Sequence, residues 1–298
     1  MKISQSIRKV IILASIFFFV KNGFASPQLP DYLIYKGDTI TVYNLILEQY
    51  FEEINKSDQG SLFGLKFRDG ASLNCWRGYQ AIYSIENDSL LLTGIIHCGE
   101  IYSGSLINQE VSRERINKIF WDKVVNGKVF LNWYTGEISI PNGSLLRWDG
   151  VFHKSFEKEV LIKVKDGSIK STSDISNYID EPDRINRRYQ DTISTVLFKE
   201  LEKIKWKKID EFDCSEKYLI TIDSNGEVSK VTMAEYQTKA EIKEFWDRNE
   251  YNYCIRAIEK GLKGLKFDIL KMNGIPIEEE VYIEIWLEEN GKLENWTD

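Results

Sequence analysis

Apolar and polar residues alternate along much of this chain, and turn-forming pairs break the alternation at short intervals; that pattern commits it to antiparallel β structure. Ala81, Tyr83 and Ile85 share one face of a strand that ends at Asn87-Asp88, and Leu90 and Leu92 open an apolar run to Ile96, so a hairpin is expected there. Asn126-Gly127 precedes Val129, Leu131 and Trp133 at period two, Thr135-Gly136 leads into residues 137–140, and Asn142-Gly143 follows Pro141. These turns describe a meander, which a last strand with Val160, Ile162 and Val164 on one face closes at Asp166-Gly167. Apolar spacing of three and four residues interrupts the pattern at 42–54 and 113–121, where short helices are expected.

Between Lys170 and Arg188 the composition shifts to Ser, Thr, Asp, Asn and Arg with few large apolar residues, which reads as a linker. Beyond it, Ile193, Val196, Leu197, Leu201 and Ile204 lie at helical spacing. Tyr218, Ile220 and Ile222 then alternate with polar positions, Asn225-Gly226 supplies a tight turn, and residues 228–233 form a second arm. Cys254, Ala257, Ile258, Gly261, Leu262 and Leu265 mark the stripe of a helix; a strand at 267–270, a turn at Asn273-Gly274 and a final strand with Val281, Ile283, Ile285 and Leu287 on one face complete the order. The expected class is α+β: an antiparallel β-rich domain over 26–171, a linker over 172–188, and over 189–298 a β-sheet with one packed helix, preceded by a leading helix.

The N-terminus has the layout of a cleavable export signal. Lys2, Arg8 and Lys9 precede an uncharged run from Val10 to Val20, and Gly23 and Ala25 supply the small residues of a cleavage site, so residues 1–25 are expected to be removed. The run covers only about half of a hydrocarbon core of roughly 30 Å, which argues against a retained anchor. The signal holds Lys2, Arg8, Lys9 and Lys21 and no acid, so its loss leaves 35 basic against 46 acidic residues and takes the net charge from −7 to −11. Such a surface repels phosphate backbones, and nucleic acid is excluded as the expected partner. The expected location is the periplasm, with secretion as the other destination.

Four cysteines, Cys75, Cys98, Cys214 and Cys254, suit a compartment where disulfides persist. The domain division favours Cys75 with Cys98 and Cys214 with Cys254; four buried free thiols are the other reading. No cysteine pair has metal-ligand or Cys-x-x-Cys spacing, and two histidines, His97 and His153, are too few for a multi-histidine centre, so neither metal nor cofactor is expected. A thiol nucleophile at Cys98 would need His153 as its base, because His97 is its neighbour on a strand and points to the opposite face. Glycine-rich phosphate loops and nucleophile elbows are absent. The chain is therefore read as a non-enzyme.

The other reading is a small-ligand or glycan-binding β domain with weak hydrolase activity. It draws on Trp76, Tyr79, Tyr83, Trp133, Tyr134 and Trp148 as a platform and on Asp122, Glu137, Asp149 and Glu157 as carboxylates.

The segments YLITIDSNGEVSKVTM at 218–233, CIRAIEKGLKGLKF at 254–267 and NGIPIEEEVYIEIWL at 273–287 resemble the TonB C-terminal domain family. The resemblance covers about a quarter of the chain and implies a sheet with a helix on one face and an edge that accepts an extended partner segment, here Val281 to Leu287 with Glu284 and Trp286 facing outward. A short signal and only five prolines set the chain apart from members that transduce energy through a retained membrane helix and a proline-rich spacer. The reading is a periplasmic or secreted protein that binds a protein or peptide by strand addition.

Overall fold

The structure is a computed structural model that describes residues 27–54, 72–101, 107–206 and 211–297. The expected export signal, 1–25, lies outside the described residues. Helices and strands occur in separate stretches of several sheets, an α+β protein. The chain divides into two compact units, one ending at Tyr134 and including Trp148–His153, the other formed by Thr135–Arg147 and by Lys154 onward.

In the first unit, β1 (Asp31–Tyr35), β2 (Asp38–Val42), α1 (Ile46–Glu53), β3 (Gln80–Glu86), β4 (Ser89–Ile96), α2 (Gln109–Phe120), β5 (Val124–Val125) and β6 (Lys128–Phe130) follow in order. The strands run β2-β1-β3-β4, and β6 joins β4 to β5. Every pairing is antiparallel except β1 with β3, which places Tyr32 opposite Ile82. The expected hairpin is β3–β4: Asn87 and Asp88 take φ of 47° and 56°, the left-handed values a two-residue turn requires. Burial on the inner face brings in Leu33, Ala81, Tyr83, Leu90 and Leu92, with Ile46, Leu47 and Phe51 of α1 and Ile116 and Phe120 of α2. Cys75 is bonded to Cys98.

The second unit begins with β7 (Gly136–Pro141), β8 (Leu145–Trp148), β9 (Lys154–Phe156), β10 (Lys158–Lys165), β11 (Ser168–Ser176) and β12 (Tyr178–Ile179). Antiparallel strands β11, β10 and β7 lie side by side, with Val160, Ile162 and Val164 opposite Ile140, Ile138 and Gly136. The expected linker, 172–188, is thus folded chain. β11 runs to Ser176, and Asn177, Tyr178 and Arg187 are buried. Its composition misleads because β11 is held by its backbone ladder while most of its side chains face water, so it needs few apolar residues.

There follow α3 (Gln190–Leu201), β13 (Glu216–Ile222), β14 (Val228–Met233), α4 (Lys239–Phe245), α5 (Arg248–Leu262), β15 (Ile269–Met272), β16 (Ile275–Pro276), β17 (Glu279–Leu287) and β18 (Leu293–Asn295). One sheet runs β14-β13-β17-β18; β15 lies outside it, between β12 and β16. Both α3 and α5 cover one face, so the leading helix shares the role expected of a single packed helix. Their apolar stripes, Ile193, Leu197 and Leu201 on α3 and Cys254, Ile258 and Leu262 on α5, meet Tyr218, Ile220, Val231, Met233, Val281 and Ile283 in one buried core. Cys214 is bonded to Cys254 and ties the start of β13 to α5.

The β13–β14 turn depends on Gly226. Its φ is +79°, its carbonyl accepts from Phe267 N (2.8 Å), and a Cβ there would lie 2.1 Å from Phe267 O. Gly226→Ala is expected to lower the unfolding free energy by at least about 2 kcal/mol, through left-handed strain and backbone displacement, with an unchanged denaturant slope. Urea denaturation followed by tryptophan fluorescence checks this.

Candidate functional site

The strand expected to be an open edge lies inside its sheet over its C-terminal part. β17 pairs with β13 along Glu279–Ile285, and on its other side Ile285, Trp286 and Leu287 pair with Asn295, Glu294 and Leu293 of β18. One residue further, Glu284 N donates to Thr297 Oγ1 (2.9 Å) and its carbonyl accepts from Trp296 N (2.9 Å). Of the expected docking margin, Val281 to Leu287, residues 284–287 are therefore already filled by β18 and the residues after it, while 281–283 have no strand on that side among the described residues. A signal for it exists in the sequence: Asn290-Gly291, with Gly291 at φ 84°, turns the chain, and Leu293 returns one apolar residue to the core.

Val281, Ile283, Ile285 and Leu287 are buried against the helices, as their alternation requires. Glu284 and Trp286 lie on the opposite, solvent face. There the rings of Trp286 and Trp296 stack at 5.3 Å and Tyr282 donates to Glu284 (2.5 Å). A margin without a strand is also that of β14, at the border of the sheet, which pairs only with β13 among the described residues. Its start is covered by pairing of Glu227 with Lys266, so the open stretch is Ser229–Met233.

The residues weighed for chemistry go elsewhere. Cys98 is locked in a disulfide and has no thiolate to offer. Tyr79, Tyr83 and Tyr134 are core residues, Trp133 stacks on Phe120 at 5.3 Å, and Trp76 meets Phe152 edge-on, so these aromatics do not form one platform. Asp149 accepts from the backbone N of Val151, Phe152 and His153 and shapes its own loop. Glu137 pairs with Lys163 (3.4 Å) and Glu157 with Arg188 (3.2 Å). Asp122 is exposed. Among the described residues no group of three or more His, Cys, Asp or Glu is placed to hold a metal ion, and no helix is long and apolar enough to cross a membrane.

Two buried ionic clusters went unread. In the first unit Asp31 accepts from Arg77 Nη1 (2.7 Å) and Ala81 N (2.9 Å), and Arg77 also donates to Leu29 O (2.9 Å). Burial opposes the Arg77 charge, and Asp31 more than offsets that, so the guanidinium stays protonated. Glu48, hydrogen-bonded by Tyr79, is held above its ordinary pKa by burial. In the second unit Arg147 forks onto Glu279, with Nη2 2.9 Å from Oε2, and Arg187, fully buried, lies 3.6 Å from the same carboxylate. Neither cluster has a residue spacing that would betray it, since its members come from distant segments. The donors of Arg77 and Arg147 are turned on carboxylates and on backbone, the arrangement of a structural network, whereas the guanidinium of Arg187 makes no hydrogen bond among the described residues.

Comparison with known proteins finds no family model, no curated protein and no solved structure that matches this chain.

Two variants separate the clusters' roles. Glu279→Ala leaves Arg147 and Arg187 without their shared counter-charge and is expected to cost about 3–5 kcal/mol in chemical denaturation. Glu48 behaves differently. Its folded pKa lies above its unfolded value near 4.5, so its contribution to stability is complete below that pH and is lost as pH rises through the folded pKa. Glu48→Gln keeps an acceptor for Tyr79; its melting temperature is expected to gain on the parent as pH rises from 4 to 8 and then to run parallel, as calorimetry across that range will read.

Proposed function

We propose that this chain is an exported, non-enzymatic binding protein whose C-terminal sheet takes up an extended segment of a partner protein along β14. One observation carries the reading: among the described residues, Ser229–Met233 is a strand margin at the border of its sheet with no strand beside it. In an antiparallel pair the N–H and C=O groups of alternate residues point away from the partner. β13 satisfies one set on β14, and the outward set is a row of donors and acceptors that a visiting backbone fills.

The TonB-like pattern of 218–287 supports the reading, with the docking strand moved from the end of the domain to its second arm. Export is supported by the signal-like leader and by two disulfides, which persist in oxidising compartments such as the periplasm. In this reading the leader is cleaved, and the protein acts as a scaffold and not as a transducer of force.

Photo-crosslinking side chains placed singly at Ser229 and Lys230, both exposed, test the mode in cells that make the protein. The expected result is one discrete adduct common to both positions, mapping to an extended partner segment and absent when the probe replaces Glu110 in the first unit. Equal labelling at Glu110, or unrelated adducts at Ser229 and Lys230, would refute strand addition.

A further inference from the structure

We propose a second binding site in the C-terminal unit: the groove between α3 and α5 takes an acidic, extended peptide segment. Its volume is about 1150 Å³. One wall is a face of α5, on which Asn249, Asn252, Arg256 and Lys260 recur at spacings of three and four. The other wall is the end of α3 and the residues after it, with Lys203 and Lys205. The floor is apolar, from Ile204, Phe212, Tyr253 and Ala257, and Phe212 packs on Tyr253 with ring centroids 5.4 Å apart. Gly261 keeps this floor low: a Cβ there would stand 2.5 Å from Ile204 Cδ1.

Charge decides the ligand. Four cations and two acids, Glu200 and Glu211, line the groove of a chain whose overall net charge is −7. Lys203 is taken by Glu200 at 2.5 Å. Lys205, Arg256 and Lys260 have neither an ion pair nor a hydrogen bond among the described residues. With Lys203 paired to Glu200 and Glu211 as the one further acid, the lining keeps a net excess of two positive charges, which raises the local concentration of anions and favours a ligand that neutralises them.

Size and lining select among anions. The groove is larger than the roughly 300–1,000 Å³ that drug-sized ligands occupy, so a single phosphate would leave it mostly empty. The amides of Asn249 and Asn252 each offer donors and an acceptor, which matches the paired needs of a peptide backbone. The apolar residues of the floor suit an apolar side chain set among carboxylates. A nucleic-acid strand would bring more negative charge than the groove neutralises, against the repulsion of the remaining surface.

The full chain, without its leader, is titrated into a labelled peptide of four glutamates around one phenylalanine, with anisotropy as the readout at physiological ionic strength. Saturable binding is expected, weakened at least about tenfold when Lys205, Arg256 and Lys260 are all replaced by serine, and weakened by added salt. These side chains are exposed, and circular dichroism will verify the fold of the triple variant. The same peptide should bind undiminished to a protein probed at Ser229 and Lys230, so loss of the β14 reading and loss of this one are told apart. Four outcomes overturn the proposal: equal binding of the lysine counterpart of the peptide, binding unchanged in the triple variant, tighter binding of oligothymidylate, or a dimer that the triple variant disperses, which would make the occupant a second copy.

Discussion

Glu279 is the point on which the second unit turns. Its carboxylate is nearly buried at the start of β17, where it receives the fork of Arg147 from β8 and faces Arg187 from the segment after β12. Removing a carboxylate and two guanidiniums from water is costly, and only close pairing with full use of the remaining donors offsets it. Arg147 meets that condition by also donating to the carbonyls of Leu146, Arg187 and Arg188. Burial pulls the Arg187 pKa down, and the charge of Glu279 opposes that fall. One acid thereby ties together three stretches of chain that are far apart in sequence: β8, the segment after β12 and the start of β17.

The same polar economy extends around that centre. Tyr178 donates to Asp268 (2.6 Å) while its oxygen accepts from Arg187 N (2.8 Å), and Asp268 also accepts from Glu181 N (3.0 Å). Asn177, fully buried, donates to Phe156 O and accepts from Gly274 N, both at 2.9 Å. Once these bonds fix the entry of β17, its alternating residues have only one way to face α3 and α5. The surfaces left over follow from that: a strand margin at β14, an aromatic and acidic outer face around Trp286 and Trp296, and a cationic groove on the helix side.

Local signals read truly wherever a few neighbouring residues decide the outcome. The β3–β4 hairpin follows from Asn87-Asp88, the β10–β11 hairpin from Asp166-Gly167, and α5 from the spacing of Cys254, Ile258 and Leu262, because turn dihedrals and a 3.6-residue period are properties of short segments. The pairing of Cys214 with Cys254 and of Cys75 with Cys98 was favoured once each pair fell in one part of the chain. The 172–188 segment misleads for the converse reason. A strand secured by backbone bonds and buried polar side chains carries no apolar rhythm to detect.

The candidate site divides along the same line. Alternation alone determined that Val281, Ile283, Ile285 and Leu287 share a buried face and that Glu284 and Trp286 face water, since successive strand residues must point to opposite sides. Which strand keeps an open margin was decided only in the folded sheet, where β18 covers the end of β17 and β14 is left at the border. The cations of the α3–α5 groove and the acids around Arg147 and Arg187 likewise come from segments far apart in sequence. Their meeting depends on helix packing and strand order, which long-range burial sets and no short window of residues records.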